Sequence, residues 1–154
     1  MSFRIQGIDP APFADLHGLS EADLAARNIV RMRVSEKPSA PCRISLDDAE
    51  IGEHVLLLSY AHLPEQSPYA QGGPIFVRET QQRFNDVDVV PPALARRTLS
   101  LRGFDAAHMM IEADLTDGKD AASLIARLFA NPAVAYIHAH NAKRGCFAAR
   151  IDRA

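Results

Sequence analysis

The sequence predicts an α+β fold: a largely antiparallel sheet, two or three short helices, and a C-terminal β-hairpin preceded by a strand–helix–strand unit. Three observations predict it. Strand-like apolar runs outnumber helical ones along the chain. One strongly amphipathic stretch stands late, with Ala121, Leu124, Ile125, Leu128 and Phe129 on a single helical face. Beyond it, residues 133–140 and 146–152 alternate on either side of a polar turn.

Each element follows in order. Residues 3–8 (FRIQGI) open as a strand, stopped by Pro10 and Pro12. Ser20 ahead of EADLAAR is an N-cap followed by acids, which predicts a short helix ending near Asn28. Residues 29–34 (IVRMRV) carry the alternation of a half-exposed strand. Lys37, Pro38 and Ser39 make a turn, and PCRISL follows as an extended piece. Residues 53–60 (EHVLLLSY) are apolar enough for a central strand, and 73–79 (GPIFVRE) return as another. Between them, 61–73 reads as a long connection with two prolines and Gly72-Gly73, the kind of loop that carries function. Residues 80–95 are polar around Pro91-Pro92, with one helical turn. TLSLRGF (98–104) and HMMIEADL (108–115) form a hairpin. Asp117 and Gly118 open the amphipathic helix, and Asn131-Pro132 stop it. With 133–140, the segment from 108 can form a parallel, right-handed βαβ unit.

A chain of 154 residues fits one domain, 1–154. At 47% hydrophobic and 23% charged it falls among globular rather than disordered sequences. No apolar segment follows Arg4 as in a signal peptide, and the Val55–Leu58 run is too short to span a bilayer. The expectation is a soluble, cytoplasmic protein without a membrane partner. A net charge of −2 gives no footprint for nucleic acid. Asp47, Asp48, Glu50 and Glu53 cluster, as do Lys143, Arg144, Arg150 and Arg153, which predicts solvated patches or long-range ion pairs. Cys42 and Cys146 form no CxxC, and a disulfide is not expected in a reducing compartment.

The stretch YIHAHNAKRGC, 136–146, concentrates the chemistry. Regular alternation puts Tyr136, His138 and His140 on one face, and Cys146, Ala148 and Arg150 on one face of the next strand. Joining the apolar faces opposes His140 with Cys146, His138 with Ala148, and Tyr136 with Arg150, around NAKRG. The catalytic candidates are therefore His140 as base and Cys146 as nucleophile. Arg43, Tyr69, Asn141 and Arg150 are candidates for binding a small anionic molecule. His138 and His140 at i, i+2 could alternatively ligate zinc or another transition metal, with Cys146 as a third ligand. Beside these stand the plain readings, in which the histidines are satisfied core residues and the thiols only pack. The chain contains no P-loop and no GxGxxG, so no nucleotide cofactor is indicated.

PCRISLDDAEIGEHVLLLSY (41–60), SPYAQGGPIFVRE (67–79) and YIHAHNAKRGCFAARIDR (136–153) resemble the three signature blocks of the bacterial Domain of Unknown Function 1203 family. The resemblance implies a bacterial single-domain protein from a family without an established activity. It marks Pro41-Cys42-Arg43, Ser67-Pro68-Tyr69, Gly73-Pro74-Ile75-Phe76, His140-Asn141 and Gly145-Cys146 as characteristic positions. Two functional readings stay open. One is an enzyme or small-molecule binder with its site where the 61–73 loop meets the C-terminal hairpin. The other is a non-catalytic binding or assembly protein, such as a homodimer joined through sheet edges.

Overall fold

Alternation along the chain is realised as nine strands in two sheets, in a computed structural model describing all residues from Met1 to Ala154. The larger sheet uses β1 (Phe3–Gln6), β5 (Asn85–Val87), β6 (Thr98–Phe104), β7 (Met110–Asp117), β8 (Tyr136–Asn141) and β9 (Phe147–Arg153). Its spatial order is β5-β1-β9-β8-β6-β7. The smaller sheet is β2 (Val30–Arg33), β3 (His54–Leu63) and β4 (Gln71–Arg78), in that order. Every strand pairing is antiparallel.

Helices form where caps and periodicity direct them. Ser20 accepts the Asp23 N–H at 3.1 Å and starts α1 (Glu21–Ala26). Pro91-Pro92 lead into the short α2 (Pro92–Ala95). A 3₁₀ turn at Gly118–Asp120 leads into α3 (Ala121–Phe129), which buries all five residues of its apolar face. That face joins Leu99, Leu101, Ile137, Ala149 and Ile151 in the main core cluster. Strands β7 and β8 both run antiparallel to β6, which lies between them. The β7–α3–β8 unit is thus parallel but split, with β6 filling its centre.

Two expectations change. PCRISL is not extended: Cys42 N–H bonds Asp47 O at 2.9 Å and Leu46 N–H bonds Cys42 O at 3.0 Å, closing a turn. It joins no named strand: its β-bridges are single, Pro41 to Asp48 and Cys42 to Phe76, and backbone bonds from Ile8, Phe84 and Ala93 to the Arg43, Ile44 and Leu46 carbonyls hold it in place. In addition, β3 runs on to Leu63 and β4 starts at Gln71, so the supposed long loop shrinks to residues 64–70. A register shift between Tyr60 and Leu63 accommodates the extension.

The acidic cluster resolves into ion pairs. Asp48 is fully buried and meets Arg97 at 2.6 Å and Arg96 at 3.1 Å; Asp47 meets Arg96 at 2.9 Å. Glu53 pairs with Arg78, and Glu50 with Lys37. These pairs fasten the 41–50 turn to the start of β6 and to the small sheet. No helix is long and apolar enough to cross a membrane.

The same turn presses against the chain after β1. A Cβ on Gly7 would lie 1.9 Å from Ile44 O and 3.0 Å from Arg43 O. Backbone atoms cannot swing aside as a side-chain tip can. Gly7→Ala is therefore expected to cost about 2–3 kcal/mol, read by urea unfolding, because the turn must move away.

Candidate functional site

The C-terminal hairpin closes as its turn residues require: Gly145 takes φ +80°, its N–H bonds Asn141 O at 2.7 Å, and Asn141 N–H bonds Cys146 O at 2.9 Å. Its register differs from regular alternation. His138 faces Arg150, Ala139 faces Ala149, and then His140 faces Phe147 across a bulge. The cause is packing. Ala148 and Ala149, neighbours in sequence, both join the main core cluster, so the strand must carry an extra residue there. The bulge turns Phe147 to the histidine side and Cys146 to the side of Asn141. The expected His140–Cys146, His138–Ala148 and Tyr136–Arg150 pairs accordingly do not form.

Cys146 lies instead in a cavity of about 500 Å³, lined also by Arg43, Asn141, Lys143, Arg144, Arg96 and Arg97, with Glu36 as its carboxylate. Arg43, only 2% exposed, sits at its base. Its Nε donates to Phe147 O at 2.7 Å, Nη1 to Pro41 O at 2.5 Å, and Nη2 to Cys146 Sγ at 3.2 Å. No carboxylate pairs with it, nor with Lys143 or Arg144. Burial pushes the guanidinium below its ordinary pKa, and the neighbouring Cys146 sulfur works against that shift. Asn141 Nδ2 donates to Cys146 Sγ at 3.6 Å, while its buried Oδ1 has no partner. Cys146 is partly exposed; Cys42 is buried, accepting the Arg78 N–H at 3.4 Å.

The other face of the hairpin holds a different assembly. His138 and His140 from β8 meet His62 from β3 where the two sheets face each other, and each ring offers a nitrogen within 4.8 Å of the others. Phe147 stacks on His62 with ring centres 4.9 Å apart, and the ring centres of Phe104 and Tyr136 stand 5.3 and 5.1 Å from that of His138. Burial first, then repulsion from any proton carried by His62 or His140 and from the Arg150 and Arg102 charges, pushes His138 down to about 3. His140 is lowered to about 4 mainly by burial, although its bond to Gly145 O opposes the shift. His62 is lowered by the same cause. His138 and His140 are neutral at pH 7.

The sequence-predicted residues thus separate. Arg43, Asn141 and Cys146 share the basic cavity; His138 and His140 lie behind the sheet. Arg150 is on the histidine side, over the Tyr136 ring at 4.1 Å and bonded to Asp152 at 2.9 Å, because the bulge rephases the strand. Tyr69 packs edge-on against Phe104, and its loop meets the β6–β7 turn rather than the C-terminal hairpin, through Ser67 Oγ on His108 O at 2.9 Å. Sequence reasoning missed His62 and the Arg96–Arg97 wall. The alternation Leu58, Tyr60, His62 continues past Tyr60 and was the available signal for His62.

Among curated proteins and among solved structures, no significant match to this chain is found. Residues 39–153, which include every residue of both the cavity and the histidine cluster except Glu36 and Pro38, match one family model. By that match the chain belongs to the family described as protein of unknown function (DUF1203).

Proposed function

We propose that this protein binds a small anionic molecule, bearing a carboxylate or phosphate, in the cavity floored by Arg43, Asn141 and Cys146. The observation that carries the reading is Arg43. A guanidinium removed from water without a carboxylate is costly, and such charges are ordinarily paired. Three of its five N–H groups are used, which leaves two for a ligand. Lys143 and Arg144 add positive charge at the rim, where it draws anions in. Cys146 is the group a bound ligand would touch, which makes a thiol-dependent reaction the enzymatic form of this reading.

Charge-selective alkylation tests it. Iodoacetate and iodoacetamide deliver similar groups but differ in charge. The iodoacetate-to-iodoacetamide rate ratio at Cys146 should exceed that of glutathione by about 10-fold at low salt, and should shrink as salt screens the cavity. Inorganic phosphate should slow both reagents. A ratio equal to glutathione's would remove the anion site, and Cys42 provides a buried control thiol.

A further inference from the structure

We infer that His62, His138 and His140 form a transition-metal site, separate from the anion cavity and joining the two sheets. The geometry comes first. One nitrogen from each ring lies within 4.8 Å of the others. A tetrahedral zinc with Zn–N bonds of about 2.0–2.1 Å holds its nitrogens about 3.3 Å apart, so small ring rotations would close the set.

Hydrogen bonding orients the rings for this task. A carbonyl can only accept, so His140 Nδ1, 2.9 Å from Gly145 O, carries the proton and leaves Nε2 a bare lone pair. His62 Nε2 meets Gln71 Oε1 at 3.2 Å, which leaves Nδ1 bare in the same way. Outer partners of this kind fix tautomer and orientation in histidine metal sites. His138 supplies the independent observation. It is 2% exposed, and its buried Nδ1 has no hydrogen-bond partner. A buried ring nitrogen left unpaired is a desolvation cost that a metal bond would remove.

The donor set selects the cation. Three imidazoles without a carboxylate suit zinc, cobalt, nickel or copper and not calcium or magnesium. Three protein ligands also leave a fourth position open, as in sites that hold water or an anion. His62, the half-buried member, marks the side on which that position can be reached. Arg102, whose side chain meets only Ser100 Oγ at 3.3 Å, provides positive charge nearby, so an anion is favoured as fourth ligand.

The test uses the full chain, purified without a histidine tag and stripped with EDTA, then titrated with zinc by calorimetry and with cobalt(II) by visible absorption. One ion per chain is expected, with the intense visible bands of four-coordinate cobalt. His62→Ala, at the accessible rim, should fold and weaken binding by more than about 100-fold. His138→Phe should do the same, and circular dichroism checks that each variant is folded. Cys146→Ser should bind as the parent does. Absence of saturable one-to-one binding by both ions would overturn the site. So would affinity unchanged in folded His62→Ala, or affinity lost in Cys146→Ser.

Discussion

Arg43→Met is expected to abolish both the preference of Cys146 for iodoacetate and the protection by phosphate. Methionine nearly conserves the side-chain volume, so the cavity should keep its shape while losing the cation at its base. Two effects on stability oppose each other. Removing an unpaired buried charge relieves a desolvation penalty. Removing its donors leaves the buried carbonyls of Pro41 and Phe147 unsatisfied, at about 1–3 kcal/mol each. The carbonyl losses should prevail, giving a net destabilisation of about 2 kcal/mol in urea unfolding. Phosphate should raise the midpoint of the parent and leave that of the variant unmoved, since only a ligand bound to the folded state stabilises it. Arg43→Lys separates charge from shape: it keeps a cation but not the planar fork, and should retain part of the iodoacetate preference. A variant lacking the guanidinium that still prefers iodoacetate would assign the selectivity to Lys143 and Arg144 and sink the role of Arg43.

What could be read from the chain follows from which patterns are local. The buried face of α3 was fully legible because a 3.6-residue period needs no knowledge of the partner surface. Arg43, Asn141 and Cys146 were legible as residue types, and the cavity does bring them together. Their separation from His140 was not legible. A bulge adds no distinctive residue: Phe147-Ala148-Ala149 fits regular alternation on paper, and only the demand of the core for both alanines breaks it. The same single-residue slip moved Arg150 away from the cavity. Asp48 illustrates another limit. Nothing in DDAE distinguishes a fully buried carboxylate from a solvated one until Arg96 and Arg97 arrive from nearly fifty residues away. His62 was obscured by the prolines that follow it, which suggested a loop where the strand continues.

Between pH 7 and pH 5 the metal-free protein, kept in EDTA, is expected to lose about 4 kcal/mol of stability. His138 and His140 fall from an ordinary 6.5 to about 3 and about 4 in the folded protein. A histidine with a depressed folded value contributes its stability above the unfolded value, and that contribution is lost as pH falls towards the folded one. At pH 5 the unfolded rings are protonated and the folded ones are not. The difference of about 1.5 pH units from 6.5, at 1.36 kcal/mol per unit, is about 2 kcal/mol for each ring. His62 and His17, also lowered by burial, add in the same direction. The charges facing the two rings, Arg102 from β6, Arg150 from β9 and Arg43 from the turn, are all positive and strengthen the effect. Asp47 and Glu53 have depressed values as well, so their contributions vanish only at lower pH, below the ordinary carboxylate range. The interval from 6.5 to 5 therefore belongs to the histidines. Against a total of about 5–15 kcal/mol for a domain, the loss should bring acid unfolding to about pH 4–5. His138→Phe places another aromatic ring among Phe104, Tyr136 and Phe147 and removes one of the titrating groups. Urea midpoints should then fall less steeply between pH 6.5 and 5 than in the parent, by roughly half of the two-ring contribution. Identical slopes would mean that His138 is protonated alike in the folded and unfolded chains, and would overturn the assignment of the loss to this ring.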